Sequence, residues 1–270
     1  MVDTVNSGGA SSTYLNRAQS GVKKAMNRLS TGLKINSAKD DAAGLAISDR
    51  MNVQIRGLNQ AIRNANDGIS LTQVADGALS ESSDILQRMR ELSLQASNGI
   101  YNSSDRASMN KEFSQLQTEL GRISENTTFN GKQVLNGDLS GGASFQVGAN
   151  EGETIEVALE GSSPQDLGVE ELNIRSVDGA QNALAAIDDA LATISARRGE
   201  LGATQNRFES TIANLSNISE NVSASRSRVA DADYAAEVSN LLRSRILEQA
   251  GIAMQSHAKQ SAETVLGLLK

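Results

Sequence analysis

Leu184-Ala185-Ala186-Ile187-Asp188-Asp189-Ala190-Leu191-Ala192-Thr193-Ile194 decides the fold, because Leu184, Ile187, Leu191 and Ile194 recur alternately three and four residues apart. That spacing is the seam of a coiled-coil helix, which presents two apolar side chains per seven residues along one face. The phase continues through Leu201, Phe208, Leu215 and Val222, with Arg198, Gln205 and Ser219 as polar interruptions, and predicts one helix from Ala180 to Ser223.

Upstream of this helix the period changes. Asn130-Gly131 and Asn136-Gly137 are turn dipeptides, and Phe145 and Val147, then Ile155, Val157 and Leu159, alternate with polar residues as half-buried strands do. The stretch also holds the chain's one proline, Pro164. From Asp138 to Asp189 there are eleven acids against Arg175 alone, which makes the middle of the chain a solvated acidic surface. Such a surface repels nucleic acid, and no basic patch interleaved with aromatics occurs elsewhere, so no nucleic-acid partner is expected.

Before the β region, a polar turn at Asn36-Ser37-Ala38-Lys39-Asp40-Asp41 precedes a helical pattern running to Asn98. Its seam reads Ile47, Met51, Leu58, Ile62, Ala65 and Ile69, then Ala78, Ile85, Met89, Leu92 and Ala96. Residues 99–106 read as a turn, followed by a shorter helix with Met109, Phe113, Leu116, Leu120 and Ile123 on one face. At the ends lie two more seams. One has Leu15, Ala18, Val22, Ala25 and Leu29; the other, starting near Asp233 after a charged break at Arg226-Ser227-Arg228, has Val238, Leu242, Ile246, Ala250 and Ala253.

The expected fold is mainly α: an elongated antiparallel helical coiled-coil bundle with a small β-hairpin region and paired terminal helices. Its parts are residues 1–42 and 226–270 at the two ends, 43–129 and 180–225 in the bundle, and 130–179 as the acidic β insert. Helices of about twenty residues with one thin seam are marginal alone in water. Gly21 and Gly251 weaken the terminal pair further, at roughly 0.5–1 kcal/mol per mid-helix glycine. Their order is therefore expected to come from neighbouring copies.

Composition excludes most chemistry. Leu, Ile, Val and Phe supply 61 of the 270 residues, enough for narrow seams but thin for a wide core. With no Cys and one His there is no disulfide, no thiolate nucleophile and no multi-histidine metal site, so neither a cofactor nor an enzyme is expected. Ser20-Gly21-Val22-Lys23 and Ser256-His257-Ala258-Lys259 fit S-x-x-K but lack the companion S-D-N and K-T-G motifs. His257 reads as a helix-surface or interface residue. Asp40-Asp41 reads as a helix-capping pair rather than a metal site. Arg197-Arg198 reads as a solvated face or an ion pair between subunits. The N-x-S/T triplets at Asn102, Asn126, Asn214, Asn217 and Asn221 are chance products of a Ser- and Asn-rich chain. Met1–Gly9 shows no secretory leader, and no run approaches the ~18 apolar residues of a membrane span.

Longer blocks carry a resemblance. Leu29-Ser30-Thr31-Gly32-Leu33-Lys34-Ile35-Asn36-Ser37-Ala38-Lys39-Asp40-Asp41-Ala42-Ala43-Gly44-Leu45-Ala46-Ile47 and Arg63-Asn64-Ala65-Asn66-Asp67-Gly68-Ile69-Ser70 resemble the N-terminal signature of bacterial flagellins. Gln87-Arg88-Met89-Arg90-Glu91-Leu92, Thr128-Phe129-Asn130-Gly131, Phe145-Gln146-Val147-Gly148-Ala149-Asn150 and Ile246-Leu247-Glu248-Gln249-Ala250-Gly251 are similar to further blocks of that family. The resemblance covers nearly the whole chain, in a short form lacking the large variable outer domains. It implies a structural subunit that polymerises into the extracellular flagellar filament for swimming, secreted through the type III export route without a cleaved signal peptide. The filament core would be lined by the helices carrying Leu15, Val22, Leu29, Val238, Leu242 and Ile246. Implied partners are further copies of the chain, an export chaperone, the filament cap and the hook-junction proteins. A host Toll-like receptor is also implied, on a face formed by Gln87, Arg88, Glu91 and Leu92 with Glu119. The other readings are a hook–filament junction protein of the same superfamily and a secreted helical adhesin or adaptor.

Overall fold

The computed structural model describes the backbone of residues 2–268 and the side chains of residues 12–260, so side chains of the Met1–Gly9 stretch lie outside it. Five helices and four short strands follow in chain order: α1 (Val2–Thr31), α2 (Ala42–Ala96), α3 (Ser103–Asn126), β1 (Thr128–Phe129), β2 (Lys132–Gln133), β3 (Ala143–Gln146), β4 (Thr154–Val157), α4 (Val177–Ala230) and α5 (Tyr234–Leu268). The chain forms two compact units, one of residues 1–55 and 220–270, the other of 56–219. The first turns of α2, assigned above to the bundle, thus belong with the terminal helices. Among the described residues no helix is long and apolar enough to cross a membrane.

In the unit of residues 56–219, α2 and α4 run antiparallel. Gly68 lies beneath Phe208, Asp76 Oδ1 accepts from Arg198 Nε at 2.7 Å, and Asp188 Oδ1 accepts from Arg90 Nε at 2.6 Å, so later residues of one helix meet earlier residues of the other. The α2 seam is an unbroken alternation of three and four: Leu58, Ala61, Ala65, Gly68, Thr72, Ala75, Leu79, Ser82, Leu86, Met89, Ser93 and Ala96 are all buried. Its polar members cost little, because the hydroxyls of Thr72, Ser82 and Ser93 donate to the carbonyls of Ile69, Ala78 and Met89 at 2.8–2.9 Å. Ala78 and Ile85, placed on the seam by their hydrophobicity, pack against it from the flank.

The α4 seam likewise differs in phase from the hydrophobic pattern. Ile187, Ile194, Leu201, Phe208 and Leu215 are buried as expected, but the alternate positions belong to Ala180, Ala183 and Ala190. Leu184 and Leu191 sit one residue further on and are half-buried, as is Val222. The small side chains let the backbones approach, and the leucines reach over the shoulder. Met89 and Leu120 are fully buried, while Leu116 is half-buried beside Phe113.

Capping explains the boundaries that periodicity misplaced. Asn102 Oδ1 accepts from the Ser104 and Asp105 N–H groups, and Asp105 returns a bond to the Asn102 N–H, a capping box that starts α3 at Ser103. Residues 103–106 are therefore helix, not turn. Arg106 then reaches back to close α2, donating from Nε to the Ala96 carbonyl at 2.8 Å and from Nη2 to the Asn98 carbonyl at 3.1 Å. Arg226-Ser227-Arg228 is likewise no break, since α4 continues to Ala230 and Arg226 Nη1 donates to Asn52 Oδ1 at 2.8 Å.

The β region lies over the helices through a few strong contacts. β1 and β2 join at Asn130 (φ 50) and Gly131 (φ 78), the left-handed pair of a two-residue hairpin. β3 pairs antiparallel with β4, and Phe145 stands edge-on to Phe208 with ring centroids 5.7 Å apart at 88°. Arg197 is not a solvated residue but is engaged within the chain. Its Nη1 donates to the Gly161 carbonyl and to Ser162 Oγ, and its Nη2 pairs with Glu160 Oε2 at 3.0 Å, fixing the loop after β4 to α4.

In the unit of residues 1–55 and 220–270, α1 and α5 pack antiparallel on each other. A Cβ on Gly21 would lie 2.8 Å from Ser244 Oγ, and one on Gly251 3.3 Å from Leu15 Cδ1. These glycines thus mark close approach within one chain, in the paired terminal helices that the sequence predicts. Arg28 Nη1 and the buried Glu237 form an ion pair across the two helices at 3.6 Å. The two connecting segments are tied as well: Leu33 bridges Asp231, Lys34 N–H donates to the Ala230 carbonyl at 2.7 Å, and Ala232 N–H donates to the Gly32 carbonyl at 2.9 Å. Asp233 Oδ1 caps α5 at the Ala235 and Ala236 N–H groups, and Asp41 Oδ1 caps α2 at Gly44 N–H. Burial raises the Asp40 pKa, but bonds from the Asn36 N–H, Lys24 and Ser37 outweigh it and hold the carboxyl below its ordinary range.

Candidate functional site

Among the described residues no group of His, Cys, Asp or Glu could hold a metal ion. Apolar residues scattered singly over a surface need no explanation, but an apolar stripe along one helix face marks an interface. The α1–α5 pair carries such a stripe. Ala18 and Ala25 are buried between the helices, and Leu15, Val22, Leu29 and Val238 are half-buried at its edges. Leu242 and Ile246 face away from α1 at 55% and 66% exposure, and Ala250, Ala253 and His257 continue the same exposed face. Leu247, Ile252 and Met254 widen the apolar surface of α5, and Tyr14 and Met26 are exposed on α1.

The second surface suggested by sequence lies on α2 and α3. Gln87, Arg88 and Glu91 are exposed, and Glu119 is half-buried. Leu92 does not belong with them: at 2% exposure it fills the core beside the α2 seam, and no partner can reach it without unfolding the helix. The exposed leucine on this stretch is Leu94, at 59%. Arg88 is held between helices, with Nη1 donating to Glu91 Oε2 at 2.9 Å and Nη2 to Glu112 Oε1 at 2.8 Å; the bond to Glu91 first and that to Glu112 second raise its pKa. Glu119 is paired within α3 to Arg122, whose hydrogen bond lowers the carboxyl pKa. Asn102, which heads an N-x-S/T triplet, is engaged as the α3 cap. Sequence reasoning missed the Arg88–Glu112 pair, because nothing in either helix alone signals a contact across 24 residues.

Comparison with known proteins agrees with this architecture. Residues 2–140 match the description "Bacterial flagellin N-terminal helical region", and residues 184–269 match "Bacterial flagellin C-terminal helical region". A flagellin of Halalkalibacterium halodurans is 49% identical over 92% of this chain and 92% of its own. Flagellin B of Vibrio anguillarum is 37% identical over 95% and 96%; that alignment runs to 360 positions, so it holds residues this shorter chain lacks. The crystal structure of Bacillus cereus flagellin superposes with a TM-score of 0.52 at 30% identity, covering 57% of this chain and 88% of that one. A Vibrio parahaemolyticus structure titled as a putative flagellar hook-associated protein superposes with a TM-score of 0.60 over 71% of this chain and 100% of its own; at 16% identity it shows a shared fold alone. The two terminal matches and the near full-length relatives place the chain in the bacterial flagellin family.

Proposed function

We propose that the α1–α5 pair is the gripping element of this subunit, and that the face bearing Leu242, Ile246, Ala250 and Ala253 packs against the next copy. As a flagellin, the chain is a structural subunit of the extracellular flagellar filament and not an enzyme. The supporting observation is the exposure of Leu242 and Ile246 on the side of α5 away from α1, where the isolated chain leaves them in water. Covering an apolar side chain contributes about 1.5–3 kcal/mol, and a head-to-tail contact that does not close on itself generates a helical polymer. Export through the flagellar route, by way of a chaperone, and contacts with the cap and hook-junction proteins complete the proposed life of the subunit. In a seeded elongation assay followed by electron microscopy, Ile246→Asp stops growth while helix content by circular dichroism stays unchanged. Normal filaments from that variant overturn the assignment.

A second surface role concerns a host Toll-like receptor reading the free monomer at Gln87, Arg88, Glu91 and Glu119, without Leu92. Arg88 supports it as an exposed guanidinium already ordered by two carboxylates, the type of residue that anchors interfaces. Arg88→Ala lowers monomer affinity by more than about tenfold. A binding titration showing no change, or no binding by the parent, removes the receptor.

A further inference from the structure

The chain holds three Asn–Gly pairs in described turns, at Asn98-Gly99, Asn130-Gly131 and Asn136-Gly137, and the fold treats them differently. Asparagine before glycine is chemically labile, since a residue without Cβ leaves its peptide nitrogen open to the preceding side chain. Two of the pairs exist because the backbone demands them. Gly131 has φ 78 and Gly137 φ 92, left-handed conformations that favour glycine. Gly99 is outside that region, and a Cβ built on it meets nothing within 4 Å. Neither the backbone nor the packing requires glycine at 99.

We propose that Asn98-Gly99, in the turn between α2 and α3, is a self-modification site that converts to aspartate and isoaspartate in the folded protein. Asn98 Oδ1 accepts from the Ile100 N–H at 3.2 Å, an Asx turn that closes the side chain around the Gly99 peptide unit. The same bond polarises the carbonyl that is to be attacked. The Gly99 nitrogen loses its proton to water and bonds to Asn98 Cγ, and the Cγ–Nδ2 bond breaks with release of ammonia. Water then opens the resulting succinimide at either carbonyl. No electron donor or acceptor enters.

The other two pairs are restrained. Asn136 also forms an Asx turn, but its Nδ2 donates to Gln133 Oε1 at 2.8 Å and to Asp138 Oδ2 at 2.6 Å. Those acceptors fix the amide plane, and the Asp138 carboxylate opposes the negative charge that builds during attack. Asn130 is held at φ 50 by the β1–β2 ladder on both sides. Asn98 Nδ2 meets no acceptor among the described residues, and both Asn98 and Gly99 are exposed. Conversion has a structural consequence, because the Asn98 main-chain carbonyl accepts from Arg106 Nη2 and from the Tyr101 N–H. Isoaspartate takes the main chain through Cβ and Cγ and leaves that carbonyl carbon as a free carboxylate beside Arg106, remodelling the clasp that closes α2.

Tryptic peptides separate the three sites: 91–106 carries Asn98, 123–132 carries Asn130, and 133–175 carries Asn136. Purified full-length protein is aged at mildly alkaline pH, folded or in urea, and each peptide is followed for the mass gain of about 1 Da that deamidation brings, with fragmentation locating the residue. In urea the three sites convert at comparable rates. In the folded chain the Asn98 peptide leads the other two by roughly fivefold or more, because Asn136 Nδ2 is fixed by two acceptors and Asn130 by the β1–β2 ladder. Gly99→Ala, which the fold accommodates, removes that gain with helix content unchanged. Equal rates in the folded chain, protection of Asn98 relative to urea, or an unchanged gain in Gly99→Ala each overturn the proposal.

Discussion

Replacing Gly68 by alanine has opposite consequences depending on what stands at 208. In the parent chain a Cβ on Gly68 lies 2.5 Å from Phe208 Cζ and 2.9 Å from both Cε atoms. The ring is fully buried and stands edge-on to Phe145, so it can give way only by disturbing that packing. Overpacking of this kind costs about 1–3 kcal/mol, against a gain of about 1 kcal/mol from alanine's helix propensity, so Gly68→Ala lowers stability by up to about 2 kcal/mol. Phe208→Ala alone costs more, about 3–5 kcal/mol, with the lost ring pair adding to the cavity. Once the ring is gone, the three atoms nearest to a Cβ at 68 go with it and the propensity gain of about 1 kcal/mol is realised. The sign of Gly68→Ala therefore reverses between the two backgrounds. Urea unfolding of the four chains, followed by far-ultraviolet circular dichroism, reads the reversal directly. If Gly68→Ala destabilises both backgrounds equally, or stabilises the parent, Phe208 does not occupy the hollow over Gly68 and the antiparallel register of α2 and α4 is wrong.

Three further outcomes follow from the same geometry. Ile187→Ala lowers stability by about 2–5 kcal/mol whereas Leu184→Ala, on the half-buried shoulder, costs well under half as much; equal shifts in urea midpoint refute the phase of the α4 seam. Arg106→Ala leaves the carbonyls of Ala96 and Asn98 without their donor, costs about 1–2 kcal/mol, and raises amide exchange in residues 97–103 before the α2 interior is affected. Hydrogen bonds from Arg90, Arg122 and Asn150 lower the pKa values of Asp188, Glu119 and Glu153, so their stabilisation is full above the ordinary carboxylate range near pH 4 and is lost as pH falls through the lowered values. Thermal melts from neutral to acid pH show that loss, and Asp188→Asn flattens the slope; a steeper slope in the variant contradicts the sign.

Periodicity made the helices legible because it repeats over many turns, so a few wrong residues do not change its period. The finer phase was harder to read. Gly68, Thr72, Ser82 and Ser93 lie on the α2 seam, yet no hydrophobic scan selects them; they are tolerated because their hydroxyls bond back along the helix or, at Gly68, because an aromatic ring from α4 needs the room. Ala183 and Ala190 lost to Leu184 and Leu191 in the sequence reading because area per side chain outweighed closeness of approach. The α3 start was available in principle from the Asn102-to-Asp105 spacing. Leu92 came to the receptor face with the family resemblance, although the same reading set it on the α2 seam, where it is buried. The exposed face of α5 shows the limit from the other side: Leu242 and Ile246 were legible as apolar, but only the packing of α1 tells which side of α5 remains open.

The tie between the segments leading out of α1 and into α5 has a mechanical meaning. Lys34 is bonded to Ala230, Ala232 to Gly32, and Leu33 bridges Asp231. A tension applied along either terminal helix therefore reaches two covalent chains at once, through hydrogen bonds loaded side by side rather than one after another. Each strand carries part of the pull, and rupture requires the bonds to yield together. The segments leading out of α1 and into α5 are thus clamped to each other where they leave the α1–α5 pair.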